Sequence, residues 1–150
     1  MRPILSNDPC PCGGGLYAGC CGPRHRGTRP AETAEALMRS RYSAFALGLA
    51  DYLQATHDVP ATEEGRRELE AAARSVTWLG LDVHRVERGG PEDDEGVVEF
   101  TARSRDGRHV VELHERSSFR RKDGRWLYVD GECRVTQSPP GGPRRSQEKS

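Results

Sequence analysis

Four of the chain's five cysteines lie within 12 residues, in the stretch CPCGGGLYAGCC. Four thiolates suit zinc, which takes a tetrahedral set of ligands with each sulfur about 2.3 Å from the metal. A complete set of four protein ligands leaves no open position for water, so it indicates a structural site rather than a catalytic one. The glycines at 13–15 let the chain curl around an ion, and Pro9 and Pro11 restrict the backbone beside the first pair. The predicted metal ligands are Cys10, Cys12, Cys20 and Cys21.

The residues alone leave other interpretations of this cluster open. Zinc is the favoured metal. Iron is the main alternative, because sulfur-rich sites accept several metal ions. A redox pair, or thiols with no shared role, are the alternatives to a metal site. We interpret His25 as a solvated loop histidine rather than a reserve ligand, and Cys133 stands alone far from the cluster. Residues 1–30 carry four arginines and one aspartate, so positive charge is available to offset the thiolates.

A second group of polar residues could line a pocket. Side chains alternate along a strand, so in the stretch LHERSSF His114 and Glu115 lie on opposite faces. A buried Glu115 would need a cation, and Arg41 is the natural candidate for an ion pair that fixes helix against sheet. His114 and Asp130 could form a general-base pair if the last two strands are neighbours. No residue is assigned a catalytic role, and binding is favoured over catalysis. The pocket candidates are Arg41, Tyr42, His114, Glu115 and Asp130.

Composition limits the classes of protein to consider. The chain has 150 residues, 34% of them hydrophobic, and a formal net charge of zero, which suits one ordinary domain with a small appendage. It has no apolar run long enough to span a membrane, and its start lacks the apolar region of a secretory signal. We therefore expect a cytoplasmic protein with reduced thiols, which disfavours disulfides. The basic ends of the chain are too weakly charged to indicate a nucleic-acid site.

The first part of the body has helical periodicity. Apolar residues recur at helical spacing after Pro30, which we predict to start a helix that Gly48 ends. A short second helix is predicted from Asp51 to His57. A third follows Thr62, whose side chain suits an N-cap before an acidic first turn.

The second half changes to the alternation of half-buried strands. In the first strand, Leu79, Leu81 and Val83 are predicted to share one face. Two of the intervening turns contain Asp-Gly, a strong hairpin signal. Helices followed by a four-stranded antiparallel meander predict an α+β fold with the helices packed on one sheet face. The predicted strands cover residues 76–88, 96–105, 109–121 and 125–135.

Composition divides the chain into three segments. Residues 1–29, which we call the knuckle, are rich in Cys, Gly, Pro and Arg. They cannot bury enough apolar surface to fold without a stabilising cross-link such as a bound metal. Residues 30–135 hold the predicted helices and strands. Residues 136–150 are Pro, Gly and charged residues without periodicity, so we expect a disordered tail.

The cysteine stretch resembles the SEC-C motif, a small zinc-binding segment also found at the C-terminus of the SecA translocation ATPase. Its four cysteines fall on the ligand positions of that motif, and Tyr17 falls on its aromatic position. The stretches AEALMRSRYSAF, VEFTARSRDG, LHERSSF and DGRWLYVDGE resemble the YchJ family, bacterial proteins with an N-terminal SEC-C segment and an NTF2-like domain. The resemblance covers residues 8–133.

This resemblance implies an NTF2-like cone, in which a curved four-stranded sheet is closed over by helices, with a zinc knuckle at its N-terminus. It implies a metal-binding protein whose knuckle acts as a docking element. By analogy with SecA, the partner would belong to the translation, chaperone or secretion machinery. The alternative is small-molecule binding or enzymatic activity in the cone. NTF2-like domains often pair through the sheet, so a homodimer is a further expectation.

Overall fold

Four antiparallel strands form one sheet in sequence order. The structure is a computed structural model, and it describes residues 4–137. The turn between the last two strands places Asp123 and Gly124 at φ values of 53° and 80°, as a two-residue Asp-Gly hairpin requires. The predicted α+β meander is confirmed. Its strands are β1 (Thr77–Arg88), β2 (Glu95–Asp106), β3 (His109–Lys122) and β4 (Arg125–Gln137).

Irregularities in strand pairing interrupt the simple alternation of the sheet. The pairing shifts beside Trp78 and Val83 in β1, and beside Ser118 where β3 pairs with β4. The first shift leaves Leu79 unpaired and 44% exposed, whereas the Trp78 ring lies 5.7 Å from the ring of Tyr42. The prediction that Leu79 shares one face of β1 with Leu81 and Val83 is therefore wrong, because a bulge reverses the alternation at that point.

The helices precede the sheet, and two of them, α2 (Ala34–Leu47) and α4 (Glu63–Arg74), begin at side-chain N-caps. Helix α2 begins after Thr33, whose hydroxyl accepts a hydrogen bond from the backbone N–H of Ala36. The predicted start at Pro30 is wrong, since the cap lies three residues later. Gly48 ends α2 in the left-handed conformation, with φ at 75°, and Thr62 caps α4, both as predicted. The helices are α1 (Cys21–Arg26), α2 (Ala34–Leu47), α3 (Ala50–Ala55) and α4 (Glu63–Arg74).

The main apolar core lies between α2 and the inner face of the sheet. Trp126 on β4 is buried there, and its indole N–H donates to the carbonyl of Glu32. The start of α2 also meets the β1–β2 hairpin, where the N–H of Ala34 donates to the carbonyl of Gly89 at 2.9 Å. A Cβ on Gly96 would lie 2.5 Å from the Cα of Gly89, so this close approach requires glycine. The core residues are Ala34, Leu37, Met38, Val98, Phe119 and Trp126.

The C-terminal strand runs further than the sequence pattern suggested. β4 continues through Gln137, whereas the predicted tail begins at residue 136. The rest of that predicted disordered tail, 138–150, lies outside the described residues. Within residues 4–137, no helix has the length and apolar character needed to cross a lipid bilayer.

Candidate functional site

The four cysteines of the knuckle converge on one point. Their Sγ atoms all lie within 4.8 Å of one another, and three of the four side chains are buried. The Sγ of Cys12 lies 3.4 Å from that of Cys20 and 3.8 Å from that of Cys21, and the Cys20–Cys21 distance is 4.0 Å. A tetrahedral zinc ion with bonds of about 2.3 Å would separate the sulfurs by about 3.8 Å. The donor set therefore fits a thiophilic metal in both chemistry and spacing.

The glycine loop between the two cysteine pairs makes this convergence possible. Gly13 and Gly15 adopt φ values of 85° and 125°, a region that side chains with a Cβ rarely adopt. The loop closes where the N–H of Cys10 donates to the carbonyl of Gly15 at 2.7 Å. A Cβ on Gly14 would lie 2.9 Å from the Sγ of Cys20 and 3.3 Å from that of Cys12. Glycine at position 14 is thus what lets the loop lie directly over the sulfurs.

The thiols cannot all ionise without a cation beside them. Burial, followed by the neighbouring thiols, raises the pKa of Cys20 to about 11. Hydrogen bonds from Cys12 and Cys21 hold the pKa of Cys10 far below its ordinary value of 9.0, and the same hydrogen bonding raises the pKa of Cys21. Deprotonation of Cys20 and Cys21 is therefore opposed in the cluster by itself, and a cation beside the sulfurs would favour it.

The cluster is packed against α2 rather than held away from the body. The hydroxyl of Ser43, which is fully buried, lies 3.4 Å from the Sγ atoms of both Cys10 and Cys21. Arg39 on the same helix donates from Nη1 to the carbonyl of Cys12 at 2.9 Å. Three of the cysteines form an apolar cluster with Tyr42 and a residue of β2. The position of the cysteine cluster and the position of the knuckle on α2 are therefore linked.

His25 also joins the knuckle to the body. Its Nδ1 lies 2.6 Å from the hydroxyl of Tyr17, and its Nε2 lies 2.8 Å from the carbonyl of Ser40 on α2. Burial lowers the pKa of His25 below its ordinary value of 6.5. The interpretation of His25 as a solvated loop histidine is wrong, because it lies in α1 with both ring nitrogens engaged.

A second feature is a cavity of about 360 Å³ between the helices and the inner sheet face. Most of its wall is apolar and aromatic, and its polar groups are few. This is the usual composition of a small-molecule pocket. The aromatic wall includes Tyr42, Phe45, Trp78, Phe100 and Phe119, and the polar lining residues are Arg41, His57, Glu115, Ser117 and Tyr128.

Within the cavity, the charged groups are connected through an aromatic ring. Arg41 donates from Nη1 to the carbonyl of Leu53 at 2.8 Å and to the hydroxyl of Thr56 at 2.7 Å, not to Glu115. Its guanidinium carbon lies 4.8 Å from the ring centroid of Tyr128. The hydroxyl of Tyr128 in turn donates to Glu115 Oε2 at 3.2 Å. The direct Arg41–Glu115 ion pair expected from the sequence is thus replaced by an arginine–tyrosine–glutamate arrangement.

Of the remaining pocket candidates, only Tyr42 lines the cavity, whereas His114 and Asp130 lie elsewhere. Tyr42 lines the cavity together with Arg41 and Glu115. His114 lies on the other face of the sheet, where its Nδ1 lies 2.9 Å from the hydroxyl of Thr101. Asp130 is exposed.

His114 and Asp130 do not form the general-base pair that the sequence left open. β3 and β4 are neighbours, as expected, but their register places His114 opposite Arg134 and Asp130 opposite Ser118. The two side chains are therefore four pairs apart along the ladder.

Some residues at these sites were not singled out from the sequence. Ser43 carries no local signal, because its contacts with the cysteines join parts of the chain 22 and 33 residues apart. Tyr128 differs from Ser43, because strand alternation predicts that it shares the inward face of β4 with the buried Trp126. Alternation likewise places Ser117 beside Glu115 on β3.

Comparison with known proteins identifies the family. The model of the middle NTF2-like domain of YchJ matches residues 33–131. A UPF0225 protein of Chromobacterium violaceum is 55% identical over 124 residues, which cover 81% of this chain and 90% of that protein. A UPF0225 protein of Ralstonia nicotianae is 45% identical over 131 residues, covering 82% and 90%.

Two solved structures resemble the fold described above. The solution structure of a SEC-C motif-containing protein from Rhodopseudomonas palustris is 41% identical, with a TM-score of 0.71, and the match covers 82% of this chain and 96% of that one. The crystal structure of a SEC-C motif-containing protein from Psychrobacter arcticus is 30% identical, with the same TM-score and coverage of 83% and 82%. The predicted NTF2-like fold is confirmed, and the chain belongs to the YchJ family.

Proposed function

We propose that this protein binds one zinc ion through its four clustered cysteines, and that the metal holds the knuckle on the NTF2-like domain as a docking surface for a protein partner. The observation that carries the proposal is the convergence of four Sγ atoms within 4.8 Å, at spacings that suit a tetrahedral ion. The proposed ligands are Cys10, Cys12, Cys20 and Cys21.

Several observations support zinc in a cytoplasmic setting. The five cysteines form no disulfide, so the four clustered sulfurs are available to bind a metal, as a reducing compartment would favour. Four sulfur ligands leave no coordination position for a substrate, which suits a structural ion without redox chemistry. Iron is the metal that the same donor set would also accept, so metal identity needs a direct measurement.

The surface of the knuckle supports a docking role. Its cysteines face α2, while Leu5 and Leu16 are 59% and 57% exposed on the same segment. Leu16 is held by a β-bridge to Pro9 beside the first cysteine, so the metal centre would fix its position. The resemblance of this segment to that of SecA points to a partner from the translation, chaperone or secretion machinery.

Elemental analysis of protein purified under reducing conditions tests the metal. We expect one zinc per chain in the wild type and in the control Cys133→Ser, which removes an exposed thiol outside the cluster. The double variant Cys20→Ser, Cys21→Ser should lose the metal. A metal-free wild type, or iron in place of zinc, would contradict the proposal as stated.

Affinity capture followed by mass spectrometry tests the docking role. A partner that binds through the knuckle should be retained by the wild type and by Cys133→Ser, and lost from Leu16→Asp while that variant still carries its zinc. Capture that is unchanged in Leu16→Asp and in the metal-free double variant would show that the knuckle is not the docking surface.

A further inference from the structure

The cavity between α2 and the sheet contains a cation whose hydrogen-bonding capacity is only partly used. Arg41 is 8% exposed, and both of its hydrogen bonds are donated by Nη1. A guanidinium has five N–H donors, of which Nη1 supplies two. Across residues 4–137, Nε and Nη2 of Arg41 have no hydrogen-bond acceptor. Arg41 therefore presents spare donors at the wall of the cavity that it lines.

The charge of Arg41 also lacks a direct partner. No carboxylate of the described chain lies within ion-pair distance of this guanidinium, and Glu115 acts on it only through space. Burial lowers the pKa of Arg41 to about 10, which reflects the free energy needed to keep a cation there. A buried charge of this kind is stabilised when an anion approaches it.

The rest of the cavity indicates what such an anion would carry. Trp78, Phe45 and Phe119 supply flat apolar surface, and a volume of about 360 Å³ lies at the small end of ligand pockets. We propose that this cavity binds a small organic carboxylate, with its aromatic or aliphatic body against the apolar wall and its carboxylate accepting hydrogen bonds from Arg41. The cavity site is separate from the zinc centre and goes beyond the docking role.

The negative charge of Glu115 should weaken the binding of a carboxylate in the cavity. Its Oε2 is already hydrogen-bonded to the hydroxyls of Ser117, at 2.7 Å, and Tyr128, at 3.2 Å. Glu115 therefore stays in place near the polar end of the cavity as a fixed negative charge, which would oppose a bound carboxylate. Removing that charge while keeping the shape should strengthen carboxylate binding, whereas a site for neutral ligands would not respond.

The test uses the full-length, zinc-loaded protein and three carboxylate probes: hexanoate, 3-phenylpropionate and indole-3-acetate. Binding is followed by amide chemical shifts in NMR spectra and, for hexanoate and 3-phenylpropionate, which lack an indole chromophore, by the fluorescence of the two tryptophans, of which Trp78 lines the cavity. We expect at least one probe to bind with shifts confined to the cavity, and its neutral primary amide to bind roughly tenfold or more weakly. Absence of binding by all three, or equal affinity for acid and amide, would overturn the proposal.

Single substitutions test the contributions of Arg41 and Glu115 to binding separately. Arg41→Gln should lose roughly tenfold or more in carboxylate affinity, while Glu115→Gln should gain affinity for the acid and leave that for the amide unchanged. Arg105→Gln, which changes an exposed arginine on β2, is the matched control and should bind as the wild type does. If Arg41→Gln does not fold, the Glu115→Gln result decides, and an unchanged or weakened affinity for the acid refutes the site.

Discussion

Substituting Gly14 by alanine tests whether the glycine loop lies over a metal-bound cluster. The new Cβ would come within 2.9 Å of the Sγ of Cys20 and 3.3 Å of that of Cys12. If both sulfurs are fixed by the metal, neither can move away without lengthening a bond to it. Without the metal the thiols are free to shift, so the steric cost falls on the bound form.

The expected magnitude follows from the cost of overpacking. One methyl group forced into a fixed environment costs about 1–3 kcal/mol, which corresponds to zinc affinity weaker by roughly 5- to 150-fold. Gly19→Ala is the matched control, because a Cβ there meets nothing within 4 Å and its φ is not positive. Affinity is measured by competition with a chromophoric chelator at fixed pH. A Gly14→Ala affinity within twofold of the Gly19→Ala value would refute the reasoning.

Three further predictions concern the body. Burial, followed by the charge of Arg41, lowers the pKa of His57, so its imidazole should titrate below 6.5 in NMR spectra and move upward in Arg41→Gln. Because the folded state disfavours the imidazolium, this histidine should reduce the stability of the fold as the pH falls through 6.5. Thr62→Ala removes the N-cap hydrogen bond of α4 and should lower the free energy of unfolding in urea by about 1 kcal/mol. An unchanged midpoint of urea unfolding would contradict this prediction. Tyr128→Phe removes one donor to Glu115 and should lower the free energy of unfolding by about 1 kcal/mol, which chemical denaturation can measure.

The sequence predicted the order and type of the elements because their signals are local. Thr62 and Gly48 act on the residues next to them, and the Asp123-Gly124 turn sets the β3–β4 hairpin in the same way. The errors fall where a contact distant in sequence decides the outcome. Leu79 faces outward because β1 bulges where Trp78 packs against Tyr42 on α2, and no pattern within β1 specifies that contact.

The candidate site shows the same division between local and distant information. Cysteine spacing alone indicated the ligand set, and the structure brings those four sulfurs together. Local patterning did not reveal that the cluster would pack on Ser43, nor that His25 would bridge Tyr17 to Ser40. The register that separates His114 from Asp130 follows from the Asp123-Gly124 turn, which pairs Lys122 with Arg125, so the position of the turn rather than strand periodicity excludes that pair.

The two proposed sites share one helix, and this has a thermodynamic consequence. Ser43 on α2 contacts the cysteine cluster, while Arg41 on the same helix lines the cavity. Tyr42 takes part in both, since it packs with the buried cysteines and also forms part of the cavity wall. A short helix moves largely as a unit, so metal binding that fixes this turn of α2 also fixes the orientation of Arg41. Any resulting gain in carboxylate affinity must be matched by an equal gain in zinc affinity when the cavity is filled, because coupling between two binding equilibria is reciprocal. The knuckle would then be held more firmly on α2 when a carboxylate is bound, so occupancy of the cavity could be communicated to a protein docked on the knuckle.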